Sequence, residues 1–513
     1  MSETRRRAAS SRDRTAGPKS AVAVAGGLAV VALIAQVIGG SGAGSIQPIV
    51  DEVRTAELPC PAPLLTGKTA SSSAAIAAPP ASAAPAPAGP TPEKPDQVRG
   101  SSAVLADLGP PAKAVVRLKL DRSGQGSAAA PELPLLARGT GSLAPGLAAD
   151  LISTGRTGTA RGLEAVTCAA AGASAWFVGA STAAGRRDRL VLTNPEDIPA
   201  VVDLDFWDEK GPVAQPPNST GIDVPALGVV TIPLDGMTAG HQRLAIAVTA
   251  TSGRVSAVVH DIDEQGIKPR GVDWIAPVAA PTRFVLIPGV ADGRLGRTLQ
   301  LLVPGDTDAI VKLRVLTPNN SFAPAALDTV ELRAGQVAQY DLSKAGETAA
   351  SALVVTADRP VVASVRLTRA VKGTADVAYA TAAPALSAPA LIPSGVGPQG
   401  TTTRLILAAP RGDAEVVVTL LGAGGVASKP TVVKIPGARA VLFDPAPKPP
   451  KGATGAPLGS YAILLTPGPA SGPVFAARIL RAADPDLTVT AVFPGRYTVS
   501  IPGIEPDLTA VLP

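Results

Sequence analysis

The sequence is poor in the side chains that most often carry chemistry. Its 513 residues include only two histidines, two cysteines and 3% aromatic residues. A catalytic zinc site usually has three protein ligands, and His241 and His260 are the only imidazoles present. The sequence has no Cys-x-x-Cys redox motif and no Gly-x-Ser-x-Gly nucleophile elbow. We therefore expect a protein that is not an enzyme and that needs no cofactor or metal.

The chain also lacks an excess of positive charge outside its first 20 residues. Residues 1–20 contain six basic and two acidic side chains, so 40 basic and 39 acidic residues remain elsewhere. The net charge of +5 is therefore mainly a property of this tail. A near-neutral body has no electrostatic basis for binding nucleic acid, and we expect no nucleic acid partner.

One uncharged apolar run follows the basic tail. Residues 21–38 are interrupted only by two glycines and a glutamine, and they are about long enough to cross a bilayer as a helix. The basic flank predicts a cytoplasmic tail over 1–20, a transmembrane signal anchor over 21–40 in contact with membrane lipid, and a body outside the cell. The alternative is a cleaved signal peptide, with the small residues 41–43 as its cleavage site.

The two cysteines suit an exported protein. In that compartment we expect Cys60 and Cys168 to form one disulfide, with two buried free thiols as the alternative. The bond would close a loop of about a hundred residues, which the loop-entropy model values at up to about 4–5 kcal/mol. Its expected role is to hold the first module to its own N-terminal strand.

Glycine and proline are abundant, at 52 residues each, and they favour many turns between short strands over long helices. Residues 69–100 consist largely of alanine, proline and serine. Such a run buries too little apolar surface to offset the entropy lost on ordering. A disordered insert is therefore predicted over 69–100.

One seven-residue pattern occurs four times. In each copy the first, third, fifth and seventh residues are apolar, which is typical of a strand with one buried and one solvated face. The copies are residues 114–120, 200–206, 309–315 and 414–420. Flanking strand and turn signals recur with them, so we predict four β-modules over 41–171, 172–279, 280–388 and 389–513.

The length of the repeat indicates the kind of module. Six or seven short strands in about 110 residues predict an all-β chain of tandem immunoglobulin-like antiparallel β-sandwich modules. The main alternative is a β-propeller, in which a module of this length would have to hold two blades. No half-module repeat is visible in the sequence, which favours the sandwiches.

An acidic group in module two could bind calcium through clustered oxygens. The group is Asp203, Asp205, Asp208 and Glu209. The first two lie on the outer face of the alternating strand, where other copies carry lysine or arginine. A solvated face explains this more simply than a metal site.

The two histidines have different settings. His260 precedes a run of acidic residues, but it also stands at the end of a strand that recurs in other modules. A structural position is therefore favoured over a catalytic or metal-binding one. His241 follows Ala-Gly in a turn, and we expect it in a solvated loop.

All three tryptophans fall in module two. Trp176 and Trp274 are predicted to fill the core or an edge. Trp207 follows a strand end in Phe-Trp-Asp-Glu-Lys-Gly and is the candidate binding residue. Exposed aromatic side chains commonly form platforms for sugars and hot spots for proteins.

The layout resembles an uncharacterised family of actinobacterial secreted or membrane-anchored proteins, known only as a domain of unknown function. The resemblance lies in the Arg-Arg-Arg of 5–7 before the apolar run, in Glu-Leu-Pro-Cys-Pro of 57–61, and in Leu-Val-Leu-Thr-Asn-Pro of 190–195 with the module strands after it. It implies a location in the cell envelope and no reaction.

Together these patterns predict a single-pass cell-membrane protein with a non-catalytic extracellular body. We expect a structural or protein-interaction scaffold of the envelope, whose loops can vary while the sheets persist. A protein that binds glycan or cell wall through Trp207 is the alternative. An enzyme with unrecognised sites is a third possibility.

Overall fold

The computed structural model describes residues 49–65, 69–85, 100–109, 116–158, 161–345, 349–398, 400–447, 459–469 and 471–501. The predicted tail and anchor lie outside these ranges. Among the described residues, no helix is long and apolar enough to span a bilayer. Residues 52–499 form one compact unit.

The first two modules contain eight strands each. Module one holds β2 (Thr55–Cys60), β3 (Ser71–Ala78), β4 (Ser102–Asp107), β5 (Val116–Leu120), β6 (Gly124–Ala129), β7 (Leu135–Thr140), β8 (Ala148–Gly155) and β9 (Gly162–Thr167). Module two holds β10 (Ser174–Ala180), β11 (Arg189–Asn194), β12 (Ala200–Trp207), β13 (Ile222–Val224), β14 (Gly228–Pro233), β15 (Leu244–Ser252), β16 (Ser256–Gln265) and β17 (Lys268–Ile275), with a short helix α1 (Leu234–Met237).

The other two modules follow the same plan. Module three holds β18 (Thr282–Val290), β19 (Gly296–Leu302), β20 (Ala309–Leu316), β21 (Ser321–Phe322), β22 (Thr329–Leu332), β23 (Val337–Asp341), β24 (Ser351–Val371) and β25 (Thr374–Thr381). Module four holds β26 (Ala390–Ile392), β27 (Thr402–Ala409), β28 (Ala414–Gly422), β29 (Thr431–Ile435), β30 (Arg439–Phe443), β31 (Tyr461–Pro467), β32 (Phe475–Arg481) and β33 (Leu487–Val492). A separate two-stranded sheet pairs β1 (Ile49–Glu52) with β34 (Thr498–Ile501).

Modules one, two and four each form two four-stranded antiparallel sheets. In module two their orders are β10-β15-β12-β13 and β14-β11-β16-β17, and modules one and four repeat both orders. In module three the long strand β24 serves both sheets, because its first half pairs with β18 and β20 and its second half with β19 and β25. The predicted all-β antiparallel class is confirmed.

The strand order differs from the predicted immunoglobulin type. An immunoglobulin constant domain places its first, second, fifth and fourth strands in one sheet. Here one sheet joins the first, sixth, third and fourth strands, and the other joins the fifth, second, seventh and eighth. Adding four to each strand position, and counting on from the eighth strand to the first, converts one order into the other. Each module thus contains a half-module repeat that exchanges a strand, a relation that the sequence does not show.

The eight module sheets surround one axis. The last strands of the modules, β9, β17, β25 and β33, contact one another in a closed cycle, and we call them the axial strands. In each module one sheet contains the axial strand. The other sheet packs between that sheet and the corresponding sheet of the next module; β10, for example, contacts both β17 and β24. Two sheets per module around one axis is the number that the β-propeller alternative requires, although the strands within each sheet do not follow a simple meander.

Two predictions in module one differ from the structure. Of the alternating pattern at 114–120, the described residues 116–120 form the fourth strand, β5, whereas the third strand, equivalent to β12, β20 and β28, is β4. Alternation marks any half-buried strand, so it does not identify the strand's place in a module. The predicted disordered insert over 69–100 contains β3, whose residues Ala74–Ala78 are buried. The pairing of β3 with both β6 and β8 and the burial of these residues offset the entropy lost on ordering, and residues 86–99 of the predicted insert lie outside the described ranges.

Candidate functional site: the axis of the ring

The axial strands lie at the inner edges of their sheets, so their inward amides have no neighbouring strand. Buried amides need an acceptor. The carboxylate of Asp376 on β25 accepts the amide N–H groups of Leu163 (3.3 Å), Val272 (3.4 Å) and Leu487 (2.9 Å). These three residues lie on β9, β17 and β33. One carboxylate therefore bonds to all three other modules.

A second carboxylate does the same further along the axis. Asp273 on β17 accepts the amides of Ala165 (3.4 Å) and Tyr379 (3.3 Å), and the hydroxyl of Thr488 donates to it at 2.9 Å. Its partners again come from the other three modules. Asp273 and Asp376 thus interlock the axial strands.

Glycine at the equivalent positions makes room for Asp376. Gly162, the first residue of β9, and Gly271, the fourth residue of β17, have φ of +157° and +133°. A Cβ on Gly162 would lie 2.5 Å from the Asp376 carboxylate, and one on Gly271 would lie 2.3 Å from the Val377 amide nitrogen. The axis therefore has room for Asp376 at this level because modules one and two have no side chain there, while the equivalent Asp486 of module four pairs with Arg161.

Both carboxyl groups are fully enclosed. Burial raises the pKa of Asp376 well above its usual value, and the amides of Leu487, Val377 and Leu163 oppose this effect. Burial likewise raises the pKa of Asp273 well above its usual value, against hydrogen bonds from Trp274 and Thr488. Such an enclosed pair can bind strands and hold protons, but it offers no access to a substrate.

His260 lies beside this axis, between modules one and two. Its Nε2 is 2.7 Å from an oxygen of Glu164, and both side chains are fully buried. Its ring packs against Trp274, with 4.5 Å between ring centroids. The position on β16 therefore contributes to the packing between modules, as the repeat alignment predicted for a structural residue.

His241 does not lie in an open loop. Its Nδ1 is 2.8 Å from Asp208 Oδ2, and its Nε2 is 2.6 Å from the Thr238 hydroxyl. Asp208 also accepts the amides of Lys210 and Gly211. The order carboxylate, imidazole, hydroxyl is that of a nucleophile relay. Here Thr238 is itself buried, and the chain of bonds ties the end of β12 to the segment after α1.

The acidic group considered for calcium is dispersed. Asp203 accepts the Gly221 amide at 2.8 Å, Glu209 accepts the Arg243 amide at 3.3 Å, and Asp205 is exposed. In the described ranges, no group of three or more His, Cys, Asp or Glu side chains is placed to hold a metal ion.

Trp207 is partly buried at the boundary of modules two and three. Its ring stacks on Trp176, with centroids 5.3 Å apart and planes inclined at 26°. Both rings pack against the core of module three. Trp274 is buried in the core shared by modules one and two. One face of the Trp207 ring is therefore already used within the protein.

The disulfide between Cys60 and Cys168 is confirmed. It joins the end of β2 to the residue after β9, and so it links the two sheets of module one near the axis. Both cysteines are buried. The bond lies beside a cavity of about 480 Å³ at the end of the axis where β33 finishes, and Cys168, Gly146 and Phe493 are among its lining residues.

A buried ion pair joins module four to module one. Arg478 Nη1 donates to Asp150 Oδ2 at 2.7 Å, and Ser394 Oγ donates to Asp150 Oδ1 at 2.6 Å. Arg478 and Asp150 are each 1% exposed. Removing one partner would leave an uncompensated buried charge, so this contact holds the ring closed.

Sequence reasoning missed these interlocking residues: Asp150, Asp273, Asp376 and Arg478. The available signal was a single charged residue inside an otherwise apolar strand, as in Ala-Asp-Val-Ala-Tyr of 375–379. Buried charges are uncommon unless they are paired. That signal marks a buried partner but does not say which one.

Comparison with known proteins adds a family. Residues 121–446 match a family described as a family of unknown function, DUF5719. The matched segment contains both axial aspartates and the first three axial strands. No curated protein and no solved structure matches the sequence. Because the match covers more than half of the chain, this protein belongs to the DUF5719 family.

Proposed function

We propose that the protein is a non-catalytic scaffold of the cell envelope, anchored by residues 21–40 and exposing its body outside the cell. The observation that carries the proposal is the interlocked axis. Asp376 bonds to the axial strands of the other three modules, so the modules support one another as one rigid body. Rigid frames suit the display of variable loops for binding.

Two features of the sequence support the location. The basic residues of 1–20 precede an uncharged apolar run, the order expected for a signal anchor with a cytoplasmic N-terminus. The disulfide between Cys60 and Cys168 suits an oxidising compartment outside the cytoplasm. The resemblance to secreted or membrane-anchored actinobacterial proteins points the same way.

The proposal assigns no reaction to the polar groups of the body. His260 is hydrogen-bonded to Glu164, and His241 is hydrogen-bonded to Asp208 and Thr238. Binding of glycan through Trp207 remains the alternative, and its stacking on Trp176 leaves less of the ring for a sugar.

The test is a topology and crosslinking experiment on intact cells. We expect the chain in the membrane fraction, a body that added protease can reach, and a disulfide that resists alkylation until it is reduced. Photocrosslinkers at exposed loop positions should then capture envelope components. A body protected from protease, or two free thiols, would contradict the proposed location.

A further inference from the structure

All four turns that lead into the axial strands lie at one end of the axis. Leu163, Val272 and Leu487 on three axial strands donate to the carboxylate of Asp376, and Ala165 and Thr488 further along two of these strands donate to Asp273, so the strands run in the same direction. Ion pairs link neighbouring modules at this end, between Arg161 and Asp486 and between Arg369 and Asp484. We call this surface the hairpin end.

The acidic side chains at the hairpin end already have cationic partners. Arg481 bonds to Asp292 at 2.9 Å, and Arg187 bonds to Glu264 at 3.1 Å. The other three acids are also paired, as Arg161–Asp486, Arg369–Asp484 and Arg366–Asp263. The negative charge of this surface is therefore neutralised by cations of the same surface.

Several cations at the same end have no such partner. Arg156, Lys268 and Lys372 are exposed at this end of modules one, two and three; among the described residues no carboxylate lies within ion-pair distance of them, although the charge of Arg156 opposes the rise in the pKa of Asp486 that burial causes. Burial lowers the pKa of Arg481, and nearby Arg369 and Arg404 add to this effect while Asp292 opposes it. Cations are therefore crowded here, and the surface carries an excess of positive charge.

The two ends of the 52–499 unit meet at the opposite end of the axis from the hairpins. The Val53 amide donates to the Tyr497 carbonyl at 3.0 Å, beyond the last residue of β33.

We propose that the hairpin end is a docking surface for a linear polyanion of the cell envelope, a polymer that carries phosphate or carboxylate groups along its length. A single exposed cation contributes little to binding. Cations on three separate turns can contact several charges of one chain, and a polyanion then releases its counterions, as nucleic acids do. Lysine binds phosphate as a hydrated point charge, without a preformed fork. The inference rests on the proposed envelope function and names the partner class.

The test measures binding of the full chain, purified in detergent, to two fluorescent polymers, poly(glycerol phosphate) and polygalacturonate. The triple variant Arg156→Ala, Lys268→Ala, Lys372→Ala should lose at least about tenfold in affinity and show a weaker dependence on salt. The matched control is Lys119→Ala, Lys312→Ala, Lys434→Ala, which removes three exposed lysines from other strands. The control should bind as the unchanged protein does.

Preference for one polymer identifies the anion as phosphate or carboxylate. Equal losses in the triple variant and the control would overturn the inference, because binding would then follow overall charge. So would binding to phosphatidylglycerol vesicles alone, or loss of polymer binding in Trp207→Ala with the triple variant unaffected. If the chain is exported and crosslinks to envelope components but binds neither polymer, this inference fails while the proposed function stands.

Discussion

The third strands of the modules and the axial strands obey different rules. Along β12, β20 and β28 the buried face is repeated, while the outer face changes from Asp203 and Asp205 to Lys312 and Arg314. Water accepts either sign of charge there. At the axis the equivalent residues also differ, but there the residue type in each module is determined by its contacts with the neighbouring modules. Where four copies meet, two have glycine, and the other two carboxylates have different partners: Asp376 accepts buried amides and Asp486 pairs with Arg161.

The comparison predicts its largest effect at Asp376. Asp376→Ala removes the acceptor of three buried amides, each worth about 1–3 kcal/mol when left unpaired. We expect a loss of about 3–5 kcal/mol in the free energy of unfolding, measured in urea. Asp205→Ala, on the exposed face of β12, is the matched control and should change stability by less than about 0.5 kcal/mol. Similar losses in the two variants would mean that the axis is no more constrained than the surface.

A second prediction concerns the space at the axis. Gly271→Ala would place a Cβ 2.3 Å from the Val377 nitrogen and put alanine at φ +133°. We expect a cost of about 2–4 kcal/mol in the same measurement. Gly221 also has a positive φ, +64°, but no atom lies within 4 Å of its Cβ position. Gly221→Ala should therefore cost only about 1 kcal/mol, which separates the clash from the backbone strain.

The smallest effect is expected outside the axis, at Asp208. Burial opposes its ionisation, but hydrogen bonds from Lys210, Gly211 and His241 hold the pKa of Asp208 below its usual value. A depressed pKa stabilises the fold at pH above the unfolded value of about 3.9, and this contribution is lost as the pH falls through the folded value. Asp208→Asn should cost about 1–2 kcal/mol at pH 7.

The pH dependence is the decisive measurement for that variant. The stability difference between the protein and Asp208→Asn should shrink as the pH falls below about 4. A difference that stays constant down to pH 3 would show that the charge of Asp208 does not contribute, and that only the shape of the side chain matters.

Local sequence patterns predicted the structural features that depend on residues close together in the chain. Alternation and turn residues identified an all-β chain with a module repeat, and the two lone cysteines identified the disulfide. Sheet order is set instead by which strands meet across long distances. Residues 116–120 of the predicted pattern therefore form a strand, but it is the fourth strand of the module and not the third.

The candidate site was largely invisible in the sequence for a related reason. Asp273 and Asp376 have meaning only through amides that come from other modules, so no local pattern distinguishes them from surface aspartates. Trp207 is named by its sequence context, but that context does not show the ring of Trp176 stacked on it. The His241 contacts likewise join segments that are 33 residues apart.

The long strand β24 has a mechanical consequence. Its 21 residues run without a break through both sheets of module three, and neighbouring strands bond to it on both sides. A pulling force along this strand would shear many hydrogen bonds at once, whereas the other modules are joined between their sheets by turns that can extend. We therefore expect module three to be the last part of the ring to yield in a force-extension measurement.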